Sequence, residues 1–147
     1  MKNRIEMTIP ADVRYLELAA GCIRKMAALA GFRDEEIANI ELAVDEGCTN
    51  VVMHAFEKDN AQSYRVICFF DTQTFTVELL DHGKSFHADT VPEPDVHAGI
   101  EERKTGGLGI YLIRKIMDDV RYSRTPDGLN RLVMIKNRSG SQTSHRK

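Results

Sequence analysis

Glu41-Leu-Ala-Val-Asp-Glu46-Gly-Cys-Thr-Asn50-Val-Val-Met-His54-Ala-Phe56 reads as the back half of one long helix. Its front half opens at Arg33-Asp34-Glu35-Glu36, where acidic side chains suit the positive end of a helix dipole. At helical periodicity Ile37, Ile40, Val44, Cys48, Val51 and Ala55 fall on one stripe. Glu46 and Asn50 fall on the far side, about 40° apart around the axis, among Leu42, Ala43 and Met53. A helix apolar on both sides is buried on both, and carboxylates are rarely buried unless paired or put to use. The pair aims a carboxylate and an amide at one point. The acid can accept a proton from an attacking hydroxyl, and the amide oxygen suits a hard cation such as Mg²⁺. The competing reading is a polar strip hydrogen-bonded to loop backbone.

Upstream, Arg4-Ile5-Glu6-Met7-Thr8-Ile9 alternates with the period of a half-buried strand, which Pro10-Ala-Asp12 closes. Leu16, Ala19, Ala20, Ile23, Met26, Ala27 and Ala30 then recur at helical spacing, with Gly31 as the stop. Downstream, Ser63–Phe70 and Phe75–Leu80 form a hairpin around Asp71–Thr74. From Gly83 to Gly106 no pattern survives. A loop longer than about fifteen residues is uncommon inside a compact domain, so this one is either a lid or plain disorder. A helix is expected over Leu108–Val120, with Ile110, Ile113, Ile116 and Met117 inward. Two strands follow near 121–124 and 129–135, turned at Pro126-Asp127-Gly128. These elements predict an α/β fold, a two-layer α+β sandwich whose mixed, mostly antiparallel sheet carries its helices on one face. No repeat and no βαβαβ alternation is present. The expected organisation is one domain over 1–136 and a disordered tail over 137–147, a stretch without an apolar residue.

Twenty basic and 22 acidic residues are mixed along the chain, for a net charge of −2. Phosphate neutralisation needs a concentrated basic surface, so nucleic acid is not the expected partner; a protein or small molecule is. With no signal-type apolar core and no apolar stretch approaching eighteen residues, a cytoplasmic protein with no membrane association is expected. Cys22, Cys48 and Cys68 form no Cys-x-x-Cys pair and read as small buried hydrophobes. His82 and His87 lack metal-ligand spacing.

Two glycine motifs follow the helix. Asp81-His-Gly83 ends a strand, where a carboxylate at the sheet edge can accept from an exocyclic amine; it also fits an ordinary Asp-x-Gly turn. Thr105-Gly106-Gly107-Leu108-Gly109 opens a helix, so backbone N–H groups and the positive dipole end point outward together, as a phosphate site or as a lid hinge. Gly83-Lys84-Ser85 is not a P-loop, because Glu78 occupies the position of the upstream glycine. Nor is Gly107-x-Gly109 a dinucleotide fingerprint, since Leu112 replaces the third glycine.

Taken together, Glu-x-x-x-Asn-x-x-x-His-Ala on a helix, Asp-x-Gly after a strand, a variable lid and Gly-Gly-Leu-Gly opening a helix resemble the GHKL ATPase superfamily. Within it the pattern resembles the stand-alone anti-sigma factor serine/threonine kinases, over roughly residues 3–136. The resemblance implies a Bergerat-type sandwich with ATP between helices and sheet and a lid after Phe86. It implies Glu46 as general base, Asn50 as Mg²⁺ ligand, Asp81 and Gly83 at adenine, and Thr105 to Gly109 at the phosphates. It further implies a STAS-domain anti-anti-sigma factor as substrate, a sigma factor as second partner, and a homodimer. Ser85 stands where many relatives carry a second glycine, and the lid's phosphate contact falls between Arg103 and Lys104. The rival expectations are a non-catalytic ATP-binding module that sequesters a partner, and the catalytic half of a split histidine kinase. The chain lacks the phospho-acceptor helix pair of the latter, and His54 reads as structural.

Overall fold

The computed structural model describes residues 3–56, 59, 61–84 and 107–138. Most of the expected lid, including Arg103 and Lys104, lies outside these residues, as does the expected tail beyond Arg138.

Strand β1 (Arg4–Pro10) carries its alternation as expected. Asp12 then accepts from the backbone N–H of Arg14 and starts a single 3₁₀ turn, Val13–Tyr15, which runs into α1 (Leu16–Ala30). Helix α1 ends at Gly31, whose φ of 95° is the left-handed cap that glycine adopts without strain. The long second helix is α2 (Asp34–Asn50), whose Glu36 reaches back to accept the Arg33 backbone N–H at 3.1 Å. It continues as one π-helical turn, Val51–Ala55, immediately after Asn50. Such turns widen a helix locally and recur at functional sites.

Strands β2 (Ser63–Phe70) and β3 (Thr74–Asp81) form the hairpin, with Asp71 accepting from the backbone of Gln73 and Thr74. Helix α3 spans Gly107–Ile116, shorter than the expected 108–120. It stops because Asp118 donates its N–H to Ile135, and strand pairing then takes residues 119 and 120. Strands β4 (Asp119–Arg124) and β5 (Asn130–Asn137) turn around Gly128, whose φ is 90°.

The strand order is β1-β2-β3-β5-β4. All four pairings are antiparallel, where a mixed sheet was expected. Strands β3 and β4 do run in the same direction, but β5 separates them, so the parallel relation never becomes a pairing. The helices cover one sheet face. Ile23, Ala27, Ile40, Val44 and Cys48 meet Val66, Cys68, Phe75, Val77 and Met134 in a single core, the two-layer α/β sandwich expected from sequence. The opposite face carries ion pairs, Arg131–Glu78 at 3.1 Å and Arg65–Glu6 at 2.9 Å.

Two sequence expectations need correction. Cys48 and Cys68 are buried, and burial pushes both thiols up to about 12, but Cys22 is only half-buried, because α1 turns that position away from the sheet. Leu42 is 41% exposed, so the far side of α2 is not apolar throughout and Glu46 is half-buried. Among the described residues no helix is long and apolar enough to cross a membrane, and no cluster of His, Cys, Asp and Glu could hold a metal by itself.

Candidate nucleotide site

Three elements meet at the site: the end of α2, the start of α3, and the adjoining ends of β3, β5 and β4. Helix α2 reaches the sheet closely because Gly47 faces it; a Cβ there would lie 2.9 Å from Leu79 Cδ1 and 3.4 Å from Leu132 Cδ2. Gly109 does the same for α3. A Cβ on Gly109 would meet Glu46 Oε1 at 3.0 Å and the Asn50 side-chain oxygen and nitrogen at 3.5 and 3.6 Å. The acid and the amide therefore converge, as their spacing predicts, on the first turn of α3, where backbone N–H groups have no helical partner. Gly107 and Leu108 belong to that turn. Thr105 and Gly106 lie outside the described residues.

Burial, reinforced by the neighbouring Asp45, pushes the Glu46 carboxyl above its ordinary value of 4.5. Asn50 Nδ2 is buried and has no hydrogen-bond partner among the described residues. A buried donor left unmade is costly, so this one suits an acceptor supplied by a ligand.

Below Asn50 lies a narrow cavity of about 30 Å³, lined by Gly47, Val51, Leu79, Asp81, Ile110, Tyr122 and Leu132. It holds about one water and forms the floor of a cleft rather than a whole nucleotide site. Asp81 is 6% exposed and ends a central strand, not the sheet edge expected from sequence, because β5 and β4 continue the sheet beyond it. Its Oδ1 accepts from Gly83 N–H at 2.8 Å and from Asn130 Nδ2 at 2.9 Å. His82 leaves the cleft to bond Gln62 at 3.2 Å.

A larger groove, about 500 Å³, lies between α1 and α2 and is lined by Val13, Leu16, Leu42, Glu17, Glu41 and Asp45 among others. Three carboxylates there repel one another; burial first, then the charges of Glu41 and Glu17, raise the Asp45 carboxyl. They would repel a polyphosphate equally, which leaves the smaller cleft as the candidate nucleotide site.

Sequence reasoning missed Gly47, Tyr122 and Asn130. Gly47 interrupts a helix next to Glu46, which is a signal of close packing; Asn130 is a polar residue at the head of an apolar strand, directly after the Gly128 turn. Nothing local marks Tyr122.

The histidine kinase-like ATPase domain family matches residues 9–136. The chain belongs to this family. Serine-protein kinase RsbW of Listeria monocytogenes is 33% identical over 125 residues, covering 82% of this chain and 80% of that protein. RsbW of Bacillus mycoides is 30% identical over 123 residues, 81% of this chain and 76% of that protein. These relatives place the chain in the anti-sigma factor kinase branch of the family, whose domain uses ATP. Among solved structures, the RsbU and RsbW domains of Rv1364c from Mycobacterium tuberculosis align over 92% of this chain and 33% of that chain, with TM-score 0.64 and 16% identity. The SiaB–SiaC complex of Pseudomonas aeruginosa aligns over 89% and 88%, with TM-score 0.62 and 12% identity. Both show the fold.

Proposed function

We propose that the chain is an ATP-dependent protein serine/threonine kinase and anti-sigma factor, phosphorylating a serine of a STAS-domain anti-anti-sigma factor in a partner-switching system. The carrying observation is the convergence of Glu46 and Asn50 on Gly109, beside an orphaned buried amide donor and a cleft floored by Asp81. In this reading residues 1–136 form the cytoplasmic ATP-binding kinase domain, which works as a homodimer and binds a sigma factor in its other state.

These residues fit ATP and Mg²⁺. Asn50 would hold both groups, its Nδ2 suited to a phosphate oxygen and its Oδ1 to Mg²⁺, which when bound would neutralise phosphate charge. Asp81 accepts from the adenine amine and Gly83 lets the base approach. Thr105, Gly106, Gly107, Leu108 and Gly109 present backbone to the phosphates. Glu46 takes the proton of the acceptor hydroxyl, the freed oxygen takes the γ-phosphoryl group, and ADP leaves. The raised carboxyl of Glu46 makes it a better base than an exposed glutamate. Phosphoryl transfer needs mainly positioning and charge neutralisation, which this set supplies.

The test is Glu46→Gln, assayed for ATP binding and for transfer to STAS-domain proteins from the same genome. Retained binding with transfer reduced by roughly two to four orders of magnitude supports the assignment. Undiminished transfer removes Glu46 from the chemistry, and ATP binding without transfer in the unmodified protein points to the non-catalytic sequestering module.

A further inference from the structure

The groove between α1 and α2 lies outside the nucleotide cleft and shares no lining residue with the cavity at Asn50 and Asp81. It measures about 500 Å³, and Val13, Leu16, Ala20 and Leu42 give it an apolar lining. Val13 is 56% exposed and Leu42 41%, so large apolar side chains stand in water on both sides of it. An apolar surface rimmed by charge marks a place where another molecule lies.

The rim has one sign. Glu17 on α1 and Glu41 and Asp45 on α2 line the same groove. Arg24 answers Glu41 across the two helices at 2.9 Å, but among the described residues Glu17 and Asp45 have no ion-pair partner. An occupant must therefore be both apolar and basic. A second copy docking by this face would set the same carboxylates against one another, and an anionic membrane or a nucleic acid would be repelled. The chain's own last stretch, 137–147, is basic but has no apolar residue to offer the lining.

We propose that this groove docks a basic amphipathic helix of a partner protein, which lays leucine- or isoleucine-type side chains on Val13, Leu16 and Leu42 and lysine or arginine on Glu17 and Asp45. A helix laid along the seam of two others packs its ridges into their groove, and cationic side chains run apolar stems over the lining before their heads reach the acids. Burial, then the charges of Glu41 and Glu17, holds the Asp45 carboxyl up, and a cation bound there relieves that cost. Asp45 immediately precedes Glu46, so α2 presents one residue to the groove and the next to Gly109. A docked partner thus lies against the helix that carries the site acid. None of these contacts involves nucleotide, so the docking stands or falls apart from the ATP reading.

The probes are labelled synthetic helical peptides of one length, titrated with the full chain without nucleotide and followed by fluorescence anisotropy: a leucine/lysine amphipathic helix, its leucine/glutamate counterpart, and an alanine/lysine helix of the same charge. The leucine/lysine peptide is expected to bind, and the other two to bind at least roughly tenfold more weakly. Leu42→Gln is expected to weaken the leucine/lysine peptide roughly tenfold, the worth of one apolar anchor, and the double variant Glu17→Gln/Asp45→Asn to weaken it roughly three- to tenfold. These side chains are exposed or half-buried, so the variants are expected to fold, and melting curves check it. Val13→Thr, on the other side of the groove, decides the matter if Leu42→Gln does not fold. No binding of the leucine/lysine peptide overturns the docking site, as does unchanged affinity in a folded Leu42→Gln or Val13→Thr. Equal binding of the alanine/lysine peptide would reduce the effect to charge attraction, and equal binding of the leucine/glutamate peptide would remove the carboxylates from it; either result refutes the proposed occupant.

Discussion

Gly109→Ala separates what α3 needs for stability from what the site needs for chemistry. The new methyl carbon would stand 3.0 Å from Glu46 Oε1, several tenths of an ångström inside ordinary contact, while its approaches to Asn50 at 3.5 and 3.6 Å are comfortable. The carboxylate must therefore move and the amide need not. Turning a glutamate off its rotamer costs about 0.5–1.5 kcal/mol. Replacing glycine by alanine in a helix returns about 1 kcal/mol. The two nearly cancel, so the melting temperature is expected to stay within about 4 °C of the parent. Chemistry has no such offset. A displaced base, with a methyl group between acid and amide, is expected to slow transfer by roughly 10- to 100-fold, in line with the cost of small misplacements at reacting centres. ATP affinity should fall less, because Asp81 and Gly83 are untouched. Calorimetric melting, ATP titration and transfer to the STAS-domain acceptor measure the three quantities. Wild-type transfer in a variant of wild-type stability would show that Glu46 does not act from this position, and a melting temperature lowered by more than about 10 °C would make Gly109 a packing glycine.

Asp81→Asn keeps Oδ1 as the acceptor of two donors and places an NH₂ where Oδ2 was, so ATP is expected to weaken roughly tenfold or more while GTP gains; equal loss of both nucleotides would contradict the orientation assigned to Asp81. Transfer is expected to fall as pH drops through the Glu46 pKa, which lies above 4.5, and Asp45→Asn should move that acid limb lower by only a minor part of the shift, burial being the larger cause. A pH–rate profile that Asp45→Asn leaves in place would remove the charge from the explanation. Because the folded-state pKa values of Asp45 and Glu46 are raised, their ionisation disfavours the fold as pH rises through them. Glu46→Gln should accordingly melt higher than the parent at pH 7, with the gain gone below about pH 4; thermal scans across that range would show a gain of the opposite pH trend if the burial argument were wrong.

Local pattern carried much of this fold. The stripes of α1 and α2, the Gly31 cap, the hairpin at Asp71–Thr74 and the Gly128 turn all follow from residues near one another in sequence, and each was expected where it occurs. What depended on distant pairing was not legible. The end of α3 is set by bonds to β5, and a strand pattern beginning at Asp119 cannot be told from a helix tail without that partner. The π-turn at Val51–Ala55 has the same apolar spacing as the α-helix it extends. At the site, Glu46, Asn50 and Gly109 could be picked out because two are one turn apart and the third opens a helix. Asn130 could not be joined to Asp81, 49 residues away, until β5 was known to lie against β3. Tyr122 reaches the cleft for the same reason, through its register with Leu132.

Calorimetric titration of the purified chain with ATP and with GTP, each with and without Mg²⁺, tests the central claim most directly. Binding of ATP in preference to GTP, strengthened by Mg²⁺, is the expected result. Absence of binding, or equal affinity for both nucleotides with no response to Mg²⁺, would contradict the assignment of Asn50 and Asp81 and leave a Bergerat-type fold whose cleft does not read adenine.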